Sequence, residues 1–223
     1  MYNIKIPNNL LYYIILQRTS YLNIYFHLLP VFLKRIIVFF FQSRIKNKYN
    51  KDMMADYQSM ADYLPKEMSN ILDIGCGIAG IDIHIYKENN QPNIHLLDRT
   101  AMDSSVYYGF EKEGSYYNSL ILAKNFLVAN GVDDDHIFVH DLEKNTPNFS
   151  NNFFDLIIST ISWGFHYPVS TYLSMVADSL KNSGVLILDV RKNTGGEEEL
   201  GVYFDIKPIK DYGKHIRYYC KKK

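Results

Sequence analysis

A chain of 223 residues with 47% apolar and 22% charged residues is long enough to bury a sizeable core as one domain plus an appendage, and is neither disordered nor fibrous. A net charge of zero argues against a nucleic-acid partner, which needs many phosphate contacts, but the charge is unevenly placed. Residues 1–51 carry Lys5, Arg18, Lys34, Arg35, Arg44, Lys46, Lys48 and Lys51 with no Asp or Glu, a net +8; the rest holds 16 basic against 24 acidic residues, a net −8.

The first 51 residues are therefore read as an arm with its own role, expected to be helical. Its longest uncharged stretch, Thr19 to Leu33, includes Asn23, His27 and Pro30 and falls short of the roughly 20 apolar residues a spanning helix needs. No small-residue cleavage site follows it, so a secretory signal is not expected either. Two cysteines, Cys76 and Cys220, far apart in different contexts, make no disulfide framework and no metal-ligand spacing. The expected compartment is reducing, hence cytoplasmic.

From residue 52 the chain reads as one domain, 52–223. Met53, Tyr57, Met60 and Leu64 recur at helical spacing and predict a helix over 52–64, ended by Pro65. Residues 71–74 are a short apolar strand running into a glycine turn, with a helix over 79–87. A second strand covers 93–97 and ends at Asp98. Residues 99–117 lack a period, and a loop of that length inside a compact domain is usually functional or disordered. A helix over 119–130 stops at Gly131, and strands follow over 136–140 and 153–159. A helix over 172–180, a strand over 184–190 and a short helix over 197–204 precede two strands, 205–208 and 215–220, joined through a turn at 211–213. Alternating strands and helices imply a mostly parallel sheet with helices on both faces, and ligands bind at the carboxyl edge of such sheets. The closing strand pair implies an antiparallel edge.

The segment Ile71-Leu72-Asp73-Ile74-Gly75-Cys76-Gly77-Ile78-Ala79-Gly80 carries the most chemistry. Gly75 and Gly77 let a ligand approach the backbone, and Gly80 permits close packing of the next helix. That spacing alone is shared with dinucleotide-binding enzymes. Asp73 discriminates: a carboxylate beside the ligand repels a pyrophosphate and attracts an ammonium group. Asp98, ending the second strand, can accept both hydroxyls of a ribose, or simply cap a helix. Asp141, ending the third, is placed to meet an adenine amino group, or is a loop residue. Three acids ending three successive strands are harder to obtain by chance than any one.

Residues 71–80, Asp98, Asp141 and the closing strand pair together resemble the class I S-adenosylmethionine-dependent methyltransferases, across roughly residues 52–223. The resemblance implies a Rossmann-like, doubly wound α/β fold: a seven-stranded, mostly parallel sheet whose last strand is antiparallel. It also implies S-adenosylmethionine as cofactor, bound by Asp73, Gly75, Cys76, Gly77, Ala79, Gly80, Asp98, Arg99, Asp141, Leu142 and Ser159. No metal is expected.

Residues 159–168, Ser-Thr-Ile-Ser-Trp-Gly-Phe-His-Tyr-Pro, are similar to a segment of small bacterial methyltransferases that modify sugars and surface polysaccharides. The same place lacks the Asn/Asp-Pro-Pro-Tyr/Phe signature of enzymes that methylate DNA bases. A small-molecule acceptor, first a sugar hydroxyl, is the leading expectation, with lipid-linked, RNA or protein acceptors behind it. A hydroxyl acceptor needs a general base; His166, after the fourth strand, is the candidate, and a structural histidine among aromatics is the alternative. Tyr107, Tyr108, Trp163 and Tyr167 are candidates to line the acceptor, or else to anchor a loop and fill the core. Cys76 reads as a small residue tolerated in the turn and His140 as a strand residue. A nicotinamide oxidoreductase and a non-catalytic, methyltransferase-like interaction subunit are the other function classes; Asp73 opposes the first, and retention of all three acids opposes the second.

For the arm, two readings stand. One is an interfacial membrane segment, apolar and basic. The other, preferred on sequence, is a helical cap over the active site or a contact with a second subunit in a homodimer.

Overall fold

A computed structural model describes residues 2–18, 21, 29–102, 117–145 and 147–223. A 3₁₀ turn at Asn8–Leu10 leads into α1 (Leu11–Gln17), followed by α2 (Val31–Gln58). Then come β1 (Asn70–Ile74), α3 (Gly80–Glu88), β2 (Asn93–Asp98), the short β3 (Ala101–Met102) and β4 (Tyr117–Asn118), α4 (Leu120–Ala129) and β5 (Ile137–Asp141). The second half holds β6 (Phe154–Ser159), β7 (Ser162–Tyr167), α5 (Leu173–Ser179), β8 (Leu180–Arg191), α6 (Gly196–Tyr203), β9 (Phe204–Asp211) and β10 (His215–Lys222).

Seven strands form one sheet in the order β5-β2-β1-β6-β8-β10-β9. The pairs β2–β5, β1–β2, β1–β6 and β6–β8 are parallel, and β10 runs antiparallel to both β8 and β9. The expected sheet with its antiparallel last strand is what forms. The chain steps outward from β1 to β2 and β5, then returns to the other side of β1 with β6. That reversal puts a crevice at the carboxyl ends of β1 and β6, and the glycine turn follows β1 directly.

The apolar runs ILDI, FDLIIS and VLILDV are continuous because both faces of the sheet are covered. Alternate residues feed two cores. Ile71, Ile94, Leu96, Ile158 and Ile187 point to one, shared with α3 and α4. Leu72, Ile74, Leu97, Ile157 and Leu188 point to the other, shared with Trp163, α5 and α6.

The first core also contains the arm. Leu11, Ile14, Ile15, Ile45, Tyr49 and Met53 are buried in it. Each such aliphatic side chain contributes about 1.5–3 kcal/mol, so α1 and α2 are integral to the packing. Of the helix expected over 52–64, only the part up to Gln58 forms, as the end of α2, which begins at Val31 and runs unbroken past residues 51 and 52; a separate 3₁₀ turn, Ala61–Tyr63, follows. Its inward stripe was hard to see because exposed Phe39, Phe40 and Arg44 interleave with buried Val38 and Ile45. Strand β8 starts four residues before the expected 184, because Leu180 already pairs with Phe154. β7 was not expected as an extended segment; it runs beside β8. The ends of the irregular 99–117 stretch pair as Ala101↔Asn118 and Met102↔Tyr117. Among the described residues, no helix is long and apolar enough to cross a membrane.

Candidate functional site

The turn after β1 is built on three left-handed residues, Gly75 (φ +72°), Gly77 (φ +57°) and Ala79 (φ +57°). The Gly75 N–H donates to Leu97 O at 2.7 Å and the Ala79 N–H to Cys76 O at 2.8 Å, tying the turn to β2 and closing it on itself. Each glycine is approached by a different element. A β-carbon on Gly75 would stand 1.8 Å from Ser162 Oγ and 3.5 Å from the Tyr167 hydroxyl, both from β7. On Gly77 it would stand 3.0 Å from Gln17 Oε1 of α1, and on Gly80 1.9 Å from the Tyr49 hydroxyl of α2. Gly80 does permit close helix packing, but the partner is the arm.

Beneath the turn, Asp73 is 3% exposed and Asp82, in the first turn of α3, is fully buried. Burial, and then the neighbouring Asp82 carboxyl, push the Asp73 pKa well above the usual carboxylate range; burial also lifts Asp82, to about 7. Burial and the apposed carboxyl favour the protonated form of Asp73, and neither Asp82 oxygen has a hydrogen-bond partner among the described residues. Two apposed carboxyls cannot both ionise without a compensating cation.

Asp98 ends β2, 8% exposed. Its Oδ2 accepts from the Gly77 N–H at 2.9 Å and its Oδ1 from the Arg99 N–H at 2.7 Å, so it braces the glycine turn. Asp141 is its register partner across β2 and β5. Asp141 Oδ1 accepts from the N–H groups of Thr100 at 3.2 Å and Glu143 at 3.1 Å, and the Leu142 N–H donates to Asp98 O at 3.0 Å. Asp98 and Asp141 therefore end adjacent strands, and Asp73, in register with Leu96, lies one residue before the end of β1 near the same edge of the sheet. The Arg99 side chain pairs with Glu143 at 3.4 Å, half-exposed, a contact worth under about 1 kcal/mol. Cys76 is half-buried, with Sγ 3.9 Å from Asp98 Oδ2.

Not every candidate reaches this edge. Trp163 is fully buried in the second core, its Nε1–H donating to Val169 O at 2.8 Å, so it fills space instead of lining an acceptor site. The Ser159 side chain is also fully buried: its hydroxyl donates to Ile74 O at 2.7 Å and accepts from the Trp163 N–H at 3.0 Å, clamping β6 to the end of β1. Tyr167 does face the turn, with its hydroxyl 3.1 Å from Ser162 Oγ. His166 is half-buried, edge-on to Phe165 at 4.9 Å. Tyr107 and Tyr108 lie outside the described residues. His140 is a strand residue, its Nε2 3.0 Å from His95 Nδ1.

A buried charge chain, missed by sequence reasoning, fastens the arm to this edge. Arg217 of β10, fully buried, donates to both oxygens of Asp189 in β8 at 2.7 and 2.8 Å. It also donates to Ser59 Oγ at 2.7 Å and reaches Asp56 Oδ1 of α2 at 3.5 Å. Asp56 in turn holds Arg18, just after α1, at 3.6 Å, and Asp52 holds it at 3.8 Å. The one sequence signal was a lone arginine among alternating strand residues. Asp82 and Gln17 carried none: first-turn acids and helix-end amides are commonplace.

No protein-family model matches the sequence, and no curated protein does. Solved structures do resemble the backbone. The PH0226 protein of Pyrococcus horikoshii matches at TM-score 0.56 and 15% identity, over 76% of this chain and 91% of that one. Precorrin-6y C5,15-methyltransferase of Geobacter metallireducens matches at TM-score 0.51 and 13% identity, over 78% and 89%. A protein of Methanococcus maripaludis, provisionally described as an S-adenosyl-L-methionine-dependent methyltransferase, matches at 0.50 and 17%, over 78% and 89%. The fold is that of the class I methyltransferases. In this methyltransferase fold the glycine turn, Asp98 and Asp141 occupy the carboxyl edge at the switch point, and the arm adds a layer that reaches Gly77 and Gly80.

Proposed function

We propose that the chain is an S-adenosylmethionine-dependent methyltransferase acting on a small molecule, a sugar or glycan-precursor hydroxyl, by direct displacement. The observation that supports this most is the gathering of Asp73, the Gly75–Gly80 turn, Asp98 and Asp141 at one edge by the β1–β2–β5 register. The residues fit the cofactor. A buried carboxyl pair in which the Asp82 oxygens have no partner among the described residues suits an ammonium group and opposes the pyrophosphate of a dinucleotide. Asp98 is the proposed acceptor for ribose hydroxyls, and Asp141 for an exocyclic amine. When bound, the sulfonium supplies an electrophilic methyl group.

The protein's part is to position the acceptor, exclude water and take up a proton. Gln17 and Tyr49 close over the glycine turn and limit solvent entry. Tyr167 and Ser162 shape the wall beside Gly75. His166 is the proposed base, its imidazole nitrogen accepting the hydroxyl proton as the acceptor oxygen gains the methyl group.

The test is incubation of a cell lysate with methyl-labelled cofactor. Label should enter the low-mass, sugar-containing fraction and disappear with Asp98→Ala. Label in protein or RNA overturns the acceptor class. His166→Ala should leave cofactor affinity unchanged and abolish the rise of turnover with pH; an unchanged pH profile makes His166 structural.

A further inference from the structure

Helix α2 has two apolar stripes. The inward one, Val38, Ile45, Tyr49 and Met53, is buried in the core. The outward one, Phe32, Ile36, Phe39 and Phe40, recurs at helical spacing and is 63%, 48%, 67% and 76% exposed. It is confined to the first turns of the helix; Ser43, Arg44, Asn47 and Lys51 continue the exposed face as polar residues. Other exposed apolar side chains, such as Ile121, Phe138 and Val202, are scattered over separate elements. Beside the stripe, the first 3₁₀ turn, α1 and α2 line a half-open pocket of about 630 Å³, with Leu11, Tyr12, Tyr13, Arg35, Val38 and Phe39 among its walls.

Charge decides what this face takes. Residues 1–51 carry +8 and no acid, while residues 52–223 carry −8. A second copy seated face to face would bring two acid-free basic arms together. An anionic bilayer offers the opposite charge and an apolar interior at matching depth, and it repels the rest of the domain, orienting the molecule arm-first. We infer that the N-terminal half of α2 docks on an anionic membrane surface, with Phe39 and Phe40 at the acyl boundary and Arg35 and Arg44 at the phosphates. The inward stripe meanwhile keeps the arm packed on the domain, so docking needs no unfolding. This inference is independent of the methyltransferase reading.

The test is flotation of the full-length protein with phosphatidylcholine vesicles, with and without phosphatidylserine. Co-flotation is expected only with the anionic vesicles, and should be lost in high salt. Phe39→Asp with Phe40→Asp should lower partitioning at least about tenfold, and Arg35→Gln with Arg44→Gln about fivefold per charge. All four positions are exposed, so melting temperatures should stay at the wild-type value; if the aspartate pair fails to fold, the glutamine pair and the salt series decide. Equal flotation with neutral vesicles, no flotation with either, or a dimer in light scattering that Phe40→Asp dissolves overturns the proposal.

Discussion

The hydroxyl of Tyr49 stands 1.9 Å from where a β-carbon on residue 80 would be. The last glycine of the turn is thus a seat for the arm. Gly80→Ala should cost about 1–3 kcal/mol by overpacking, and Tyr49→Leu should recover part of that loss. A double-mutant cycle on urea midpoints measures the coupling; additive effects would place the arm elsewhere.

The arm is fastened by charge as well as by packing. Arg217→Met removes the guanidinium bonded to both oxygens of Asp189, leaving that fully buried carboxylate only the Ile161 N–H and His215, and should cost about 3–5 kcal/mol. Because Asp56 and Ser59 also bond Arg217, limited proteolysis within α2 should speed up in this variant. An unchanged cleavage pattern would contradict that linkage.

A chain starting at Asp52 would lose Leu11, Ile14, Ile15, Ile45 and Tyr49 from the first core. It should be poorly soluble, or melt well below the full chain in calorimetry. A truncated chain that melts like the whole would show that the core closes without the arm.

Two buried groups give opposite pH slopes. Asp82, raised from 3.8 to about 7, keeps a proton that the unfolded chain loses; its contribution is complete below pH 3.8 and fades as pH rises towards 7. Burial, then neighbouring His140, lower His95 from 6.5 to about 4; its contribution is complete above pH 6.5 and fades as pH falls towards 4. Each slope is at most about 1.4 kcal/mol per pH unit, and they oppose over the shared range. Removing both raised carboxyls, Asp73→Asn with Asp82→Asn, should make stability climb with pH there, and His95→Phe should make it fall. Urea midpoints against pH read both.

The sheet was legible because parallel strands covered on both faces are short apolar runs, and Asp73, Asp98 and Asp141 stand visibly at or beside their ends. β7 was not, because its glycine and mixed polar residues break any alternation. Trp163 allowed both a lining and a core reading because it follows a strand end; the turn after Ser159 folds it back into the core. The arm's inward stripe was hidden by the aromatic residues on its other side. Asp82 stayed silent because a helix-start acid carries the same letter whether it meets water or Asp73.

Calorimetric titration of the full-length protein with S-adenosylmethionine tests the proposed function most directly. Saturable binding at one site is expected, weakened at least about tenfold by Asp98→Ala, which removes charged hydrogen-bond acceptors, with no heat from NAD. Absence of saturable binding at concentrations on the order of 1 mM, or tighter binding of NAD, would contradict it.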